Sequence, residues 1–142
     1  MLVEVPTARV RRILETALDC DDLPATAAFY KTLLGVTPML DTERLVVLDV
    51  GDGTLLLLFQ RGNAEALDTP GGLIPGHTSG GPGHFAFAID AGELGRWESR
   101  LAALGIPVES RVTWERGGTS IYFRDPDNRS VEFATPGVWP TY

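Results

Sequence analysis

A chain of 142 residues, 44% hydrophobic and 22% charged, has the size of one ordinary domain and enough apolar material for a packed core, which excludes a multi-domain machine, a disordered chain and a collagen-like repeat. Nineteen acidic side chains against 12 basic ones give a formal net charge of −7, a field that repels nucleic acid and anionic membrane surfaces, so neither is expected as a partner. Cys20 is the only cysteine, which excludes an internal disulfide and a thiolate-cluster metal site; with no apolar run of signal-peptide or membrane-spanning length, the expected setting is reducing and cytoplasmic.

In chain order, Ile13 to Cys20 alternates as a strand, and Asp21-Asp22 then supplies an N-cap with Pro24 in the first turn of a helix expected over Leu23 to Leu34. Gly35 stops that helix, because glycine adopts the left-handed conformation at little steric cost. Arg44 to Val50 and Thr54 to Gln60 read as strands joined by the turn residues Gly51-Asp52-Gly53. From Thr69 to Gly83, six glycines and three prolines exclude both helix and central strand and suggest a mobile crossover or lid. His84 to Ile89 alternates again, Asp90 and Glu93 form a capping-box-like start, and Leu94, Trp97, Leu101 and Leu104 mark one helical face that ends at Gly105. Strands are expected at Val108 to Trp114, Thr119 to Arg124 and Ser130 to Ala134. The tail from Thr135 to Tyr142, with Trp139 and two prolines, should form no regular structure and cover either a cup or a partner subunit.

The two halves are spaced as a repeat. Glu15 and His84 are 69 positions apart, Gly35 and Gly105 are 70 apart, and each half ends in a tight turn, Asp52-Gly53 or Asp127-Asn128, before an apolar strand. The expected fold is α+β: one domain over residues 1–142, built from two tandem βαβββ modules at about 12–61 and 83–135, joined by a crossover at 62–82 and followed by a tail at 136–142. Each module offers a four-stranded sheet with a helix over one face, and the pair forms a curved, half-barrel mixed sheet. Unpaired strand edges and the apolar run from Leu55 to Phe59 point to a homodimer.

Strand alternation decides which side chains share a face. In the first strand Glu15, Ala17 and Asp19 point one way; in the strand from His84 the small residues Ala86 and Ala88 share the histidine's side, opposite Phe85 and Phe87; in the last strand Glu132 alternates with Val131 and Phe133. The large apolar groups belong under the helices, so Glu15, His84 and Glu132 should converge on the opposite, concave face. Two carboxylates facing each other there need a compensating cation or proton, and a divalent metal is the economical one. One imidazole and two carboxylates suit a divalent ion such as Mn²⁺, Ni²⁺, Fe²⁺, Co²⁺ or Zn²⁺, with open positions left for water or substrate.

Two stretches carry a family resemblance. Leu14-Glu15-Thr16-Ala17-Leu18, running into Asp21-Asp22-Leu23, Ala28-Phe29-Tyr30 and Leu34-Gly35, resembles the opening module of the vicinal oxygen chelate superfamily, which includes glyoxalase I, fosfomycin- and bleomycin-resistance proteins and extradiol dioxygenases. Tyr122-Phe123-Arg124-Asp125-Pro126-Asp127-Asn128, followed by Val131-Glu132-Phe133, is similar to its closing signature, whose glutamate is a metal ligand. The resemblance covers about Ile13 to Pro136. It implies metal ligands at Glu15, where many members have histidine, at His84 and at Glu132, and places the family's fourth ligand position on Leu57, which cannot coordinate. One histidine and two glutamates do not reproduce the two-histidine, one-carboxylate set used with iron and dioxygen, so extradiol ring cleavage ranks below isomerase, lyase or transferase chemistry.

Further candidates surround this set. His77 in the crossover is placed to act as a fourth ligand or general base, Tyr122 to donate to a substrate oxygen from the face it shares with Ser120 and Arg124, and Arg124 either to clamp an anion or to be satisfied by Asp125 and Asp127 beside it. Two functions are therefore expected in order: a metal-dependent enzyme acting on a small substrate with vicinal oxygens, with Glu132, His77 and Tyr122 as catalytic groups, and, as its rival, a metal-free protein that binds an antibiotic or another small molecule.

Overall fold

The computed structural model describes residues 12–77 and 80–142. Strand β1 (Glu15–Cys20) leads into helix α1 (Leu23–Leu34), followed by β2 (Leu40–Asp41), β3 (Leu45–Asp49) and β4 (Leu55–Gln60). A hairpin of β5 (Leu67–Thr69) and β6 (Gly72–Ile74) precedes β7 (His84–Ala88), a 3-10 turn at Ala91–Glu93, helix α2 (Leu94–Ala103), β8 (Ser110–Thr113), β9 (Thr119–Arg124) and β10 (Ser130–Ala134). The four-stranded sheets are ordered β1-β4-β3-β2 and β7-β10-β9-β8, so the chain traces the same path twice. In each, the first strand runs parallel to the last and the other neighbours are antiparallel. Both sheets are mixed and open, which is the α+β architecture expected of paired βαβββ repeats.

Local chemistry explains most boundaries. The Asp22 carboxylate accepts from the Ala25 N–H at 3.1 Å, and Gly35 ends α1 at φ 67° with its N–H on Lys31 O. Gly105 follows α2 at φ 70°. The start of α2 differs from expectation. Asp90 makes no side-chain cap; a 3-10 turn intervenes, and Glu93 pairs with Arg96 at 3.2 Å instead of reaching back. In the Gly/Pro-rich segment a short strand forms after all, because Thr69 and Gly72 close a turn in which the Thr69 hydroxyl donates to Gly72 O at 2.6 Å. That strand pairs only within its own hairpin, so it is not a central strand.

One hydrophobic core serves both halves. Leu23, Tyr30 and Leu33 of α1 and Leu56 and Leu58 of β4 are buried together with Leu101 of α2, Phe123 of β9, and Val131 and Phe133 of β10. Leu57 faces the other way along β4, as alternation requires of the apolar run. Cys20 is wholly buried in this core, and burial pushes its thiol up to about 11, which leaves the lone cysteine inert as a nucleophile at neutral pH.

Polar contacts bolt the halves together at two places. In the first, the buried Asp125 carboxylate accepts from the Tyr30 hydroxyl at 2.7 Å and from Arg129 at 2.8 Å, while Asp127 accepts from Thr26 Oγ1 at 2.8 Å and Asp21 N at 2.9 Å. Arg129 also donates to Asp19 O. These aspartates therefore do not satisfy Arg124, as their adjacency in sequence had suggested. Arg124 lies on the open face and pairs with Glu109 through two contacts of 2.6 and 3.0 Å. In the second place, Arg100 of α2 donates to Leu33 O and Thr32 O, both at 2.6 Å, capping the carbonyls that α1 leaves unsatisfied at its end. Arg100→Ala is expected to lower the unfolding free energy by about 1–2 kcal/mol in urea titration, since two charge-assisted bonds at a half-exposed position are lost. A change within experimental error would show that water replaces this cap without cost.

Candidate functional site

The open face of the second sheet follows from register. His84 lies beside Ser130, and Ser130 beside Arg124; one row along, Ala86 lies beside Glu132 and Glu132 beside Tyr122; in the third row Ala88, Ala134 and Ser120 are neighbours. Most of this face is small or exposed, yet the Glu132 side chain is only 9% exposed. Its Oε2 accepts from the Ser120 hydroxyl at 2.5 Å, and Ser120 Oγ in turn accepts from the Trp114 indole N–H at 2.8 Å. Its Oε1 lies 3.3 Å from His84 Nε2.

The histidine is oriented from its other side. His84 Nδ1 lies 2.9 Å from Ser130 O, and a carbonyl can only accept, so the Nδ1 carries the proton. In the neutral ring, Nε2 then presents a lone pair to the Glu132 carboxylate. Two acceptors facing each other at this distance need a proton or a cation between them. That is the donor pair and the second-layer orientation with which proteins hold divalent ions. The residues present therefore fit a metal.

Tyr122 stands opposite Glu132 in the register of β9 and β10 and has its ring centroid 6.2 Å from that of His84. Burial first, and the nearby Glu132 charge second, raise its phenol above the ordinary tyrosine range, so it remains a protonated donor at neutral pH.

Glu15 and His77 lie elsewhere in the chain. Glu15 is exposed on β1 and, with Ala17, Leu57 and Phe59, forms the floor of a cavity of about 440 Å³. The β5–β6 hairpin walls it with Leu67 and Ile74, and His77 stands at its side, held by its N–H on Ala64 O at 2.7 Å and by an edge-to-face contact with Phe59 at 4.5 Å. Thus His84 meets Glu132, Glu15 shares a cavity with His77 and Leu57, and no three metal-ligating side chains gather at one point among the described residues. Sequence reasoning missed Ser120 and Trp114 as supports of Glu132. Alternation does put Ser120 on the face of Tyr122, but only the register of β9 against β10 shows that it reaches the glutamate.

Comparison with known proteins agrees with this architecture. The model of the Glyoxalase/Bleomycin resistance protein/Dioxygenase superfamily matches residues 12–133. A lactoylglutathione lyase from Agrobacterium tumefaciens superposes with a TM-score of 0.84 at 38% identity, covering 94% of this chain and 99% of that one. A glyoxalase/bleomycin resistance protein/dioxygenase from Nocardioides gives 0.69 at 26% identity over 94% and 90% of the two chains. The metallothiol transferase FosB of Bacillus licheniformis is 40% identical over 57 residues, so the chain matches little more than a third of that relative's length, 37%, with 39% of its own. No helix among the described residues is long and apolar enough to cross a membrane. The chain belongs to the Glyoxalase/Bleomycin resistance protein/Dioxygenase superfamily.

Proposed function

We propose that the protein is a metal-dependent enzyme of lyase, isomerase or transferase type, acting on a small substrate with vicinal oxygens, whose ion is held by His84 and Glu132 of one protomer and Glu15 of its partner in a homodimer. The observation that carries this reading is the buried Glu132 carboxylate facing the free nitrogen of an already oriented His84 at 3.3 Å. Two observations support the shared site. Among the described residues no third ligand joins His84 and Glu132, and β1 and β7, the strands that carry Glu15 and His84, are both sheet edges, with exposed Ile13 and Leu14 just before β1. The names of two relatives, a lyase and a metallothiol transferase, point the same way.

When bound, a divalent ion of the Mn, Ni, Fe, Co or Zn class supplies Lewis-acid polarisation of substrate oxygens. The chain's own groups do the rest. Ser120 and Trp114 hold one oxygen of Glu132 in place, and Ser130 O fixes the ring of His84. Tyr122 donates a hydrogen bond toward the substrate, and His77 takes or returns a proton from the cavity it shares with Glu15.

Co-expression of Glu15→Ala and Glu132→Ala chains tests the arrangement. Each variant alone should be metal-free. In a randomly mixed population half the dimers are heterodimers with one intact site of two, so metal content should recover to about a quarter of the parent's. No recovery would sink the shared site, and a parent that takes up none of these ions would leave a metal-free binding protein as the better reading.

A further inference from the structure

The cavity above Glu15 has features that the proposed metal chemistry leaves unused. At about 440 Å³ it lies within the range of small-molecule sites, and apart from Glu15 its floor is apolar or small. Arg44 is the one cation lining it among the described residues, at half-buried exposure, whereas Glu15 and Glu65 are both exposed to water. Arg44 is held at two points. Its Nε donates to Asn63 O at 2.7 Å, and its guanidinium carbon sits 5.9 Å from the centroid of Phe59, whose ring also carries the edge contact with His77. Among the described residues no carboxylate pairs with it, in contrast to Arg124 and Arg129, which both have partners. A guanidinium held through its Nε, with no partner for its terminal N–H groups among the described residues and an aromatic ring beside it, is a short-range receptor for a planar oxyanion.

We infer that this cavity takes a small organic monoanion, with an apolar or aromatic body on Leu57, Phe59, Leu67 and Ile74 and its carboxylate on Arg44. The protein's net charge of −7 repels anions at long range, so recognition has to come from this contact. The inference deepens the proposed function and rests on it for one thing: the substrate's vicinal oxygens lie at the end of the molecule away from Arg44, toward Glu15.

Isothermal titration of the purified protein with 4-phenylbutyrate, 4-phenylbutyramide and 4-phenylbutylamine separates the charge preference from the apolar one. The acid should bind about tenfold or more tightly than the amide, the amine most weakly, and Arg44→Gln should bring the acid down to the amide's level while leaving the amide unchanged, as loss of one charge-assisted contact requires. Unchanged amide binding is also the check that the cavity remains formed. Arg44→Lys, which keeps the charge without the planar fork, should retain only part of the preference. Amide or amine binding as tight as the acid, or an acid preference that survives Arg44→Gln, overturns the inference. Metal content, measured on the same samples, keeps the two readings apart. A metal-loaded parent without acid preference defeats this inference alone, and a metal-free parent that prefers the acid defeats the metal centre alone.

Discussion

Asp125→Ala is expected to lower the unfolding free energy by about 3–5 kcal/mol, enough to leave a domain of this size close to unfolded. The residue is 5% exposed and its two oxygens have four uses: the Tyr30 hydroxyl, the Arg129 guanidinium, and the backbone N–H groups of Asp127 and Arg129. Removing it leaves Arg129, itself 5% exposed, with Asp127 at 3.4 Å as its only remaining carboxylate partner among the described residues. Tyr30→Phe deletes one bond and should cost about 1–2 kcal/mol. The ordering of the two variants in urea titration is the check. Equal costs would mean that the tyrosine hydroxyl, and not the buried charge, dominates the lock between the halves.

The second large effect concerns the metal. Protein purified without a histidine tag should carry close to one divalent ion per chain, and His84→Ala and Glu132→Gln should each lose nearly all of it. Ser120→Ala is the more discriminating variant. Without the 2.5 Å bond that fixes Oε2, Glu132 is free to turn from His84, and affinity for Co²⁺ should fall about 10- to 100-fold, the usual cost of losing a support behind a ligand. The electronic spectrum of bound Co²⁺ should shift with it. A Glu132→Gln variant that retains the parent's metal would remove the basis of the proposed centre.

How far the sequence carried depended on whether the signal was local. Gly35 and Gly105 marked helix ends correctly because the left-handed geometry they adopt is a property of one residue, and Asp52 and Asn128, the two non-glycine residues with positive φ among the described residues, lie in the two turns anticipated. Alternation likewise separated Glu132 from Val131 and Phe133. It could not say how one sheet is placed against the other, so the convergence of Glu15 with His84 and Glu132 does not follow from alternation alone. The expected pairing of Arg124 with Asp125 and Asp127 failed for a related reason. Asp125 and Asp127 are its neighbours in sequence, but β9 ends there, and the turn at Asn128 swings both aspartates inward to Arg129 while Arg124 stays on the open face. The Arg44–Phe59 contact left no periodic trace at all, since it forms between the entrance to one strand and the far end of its neighbour.

The order of strands has a further consequence for how the molecule comes into being. In the second sheet β10 lies between β7 and β9, so the last of its four strands to leave the ribosome is the one that joins the others. Until it emerges, β7 has no partner in its sheet, and Phe87 has no Phe133 to pack against. Glu132 arrives on the same strand. Synthesis that stalls even a few residues short of position 134 would yield a chain with an apolar, unpaired edge and only one of the two side chains, His84 and Glu132, that the proposed centre needs, which makes such truncated products natural targets for chaperones and proteases.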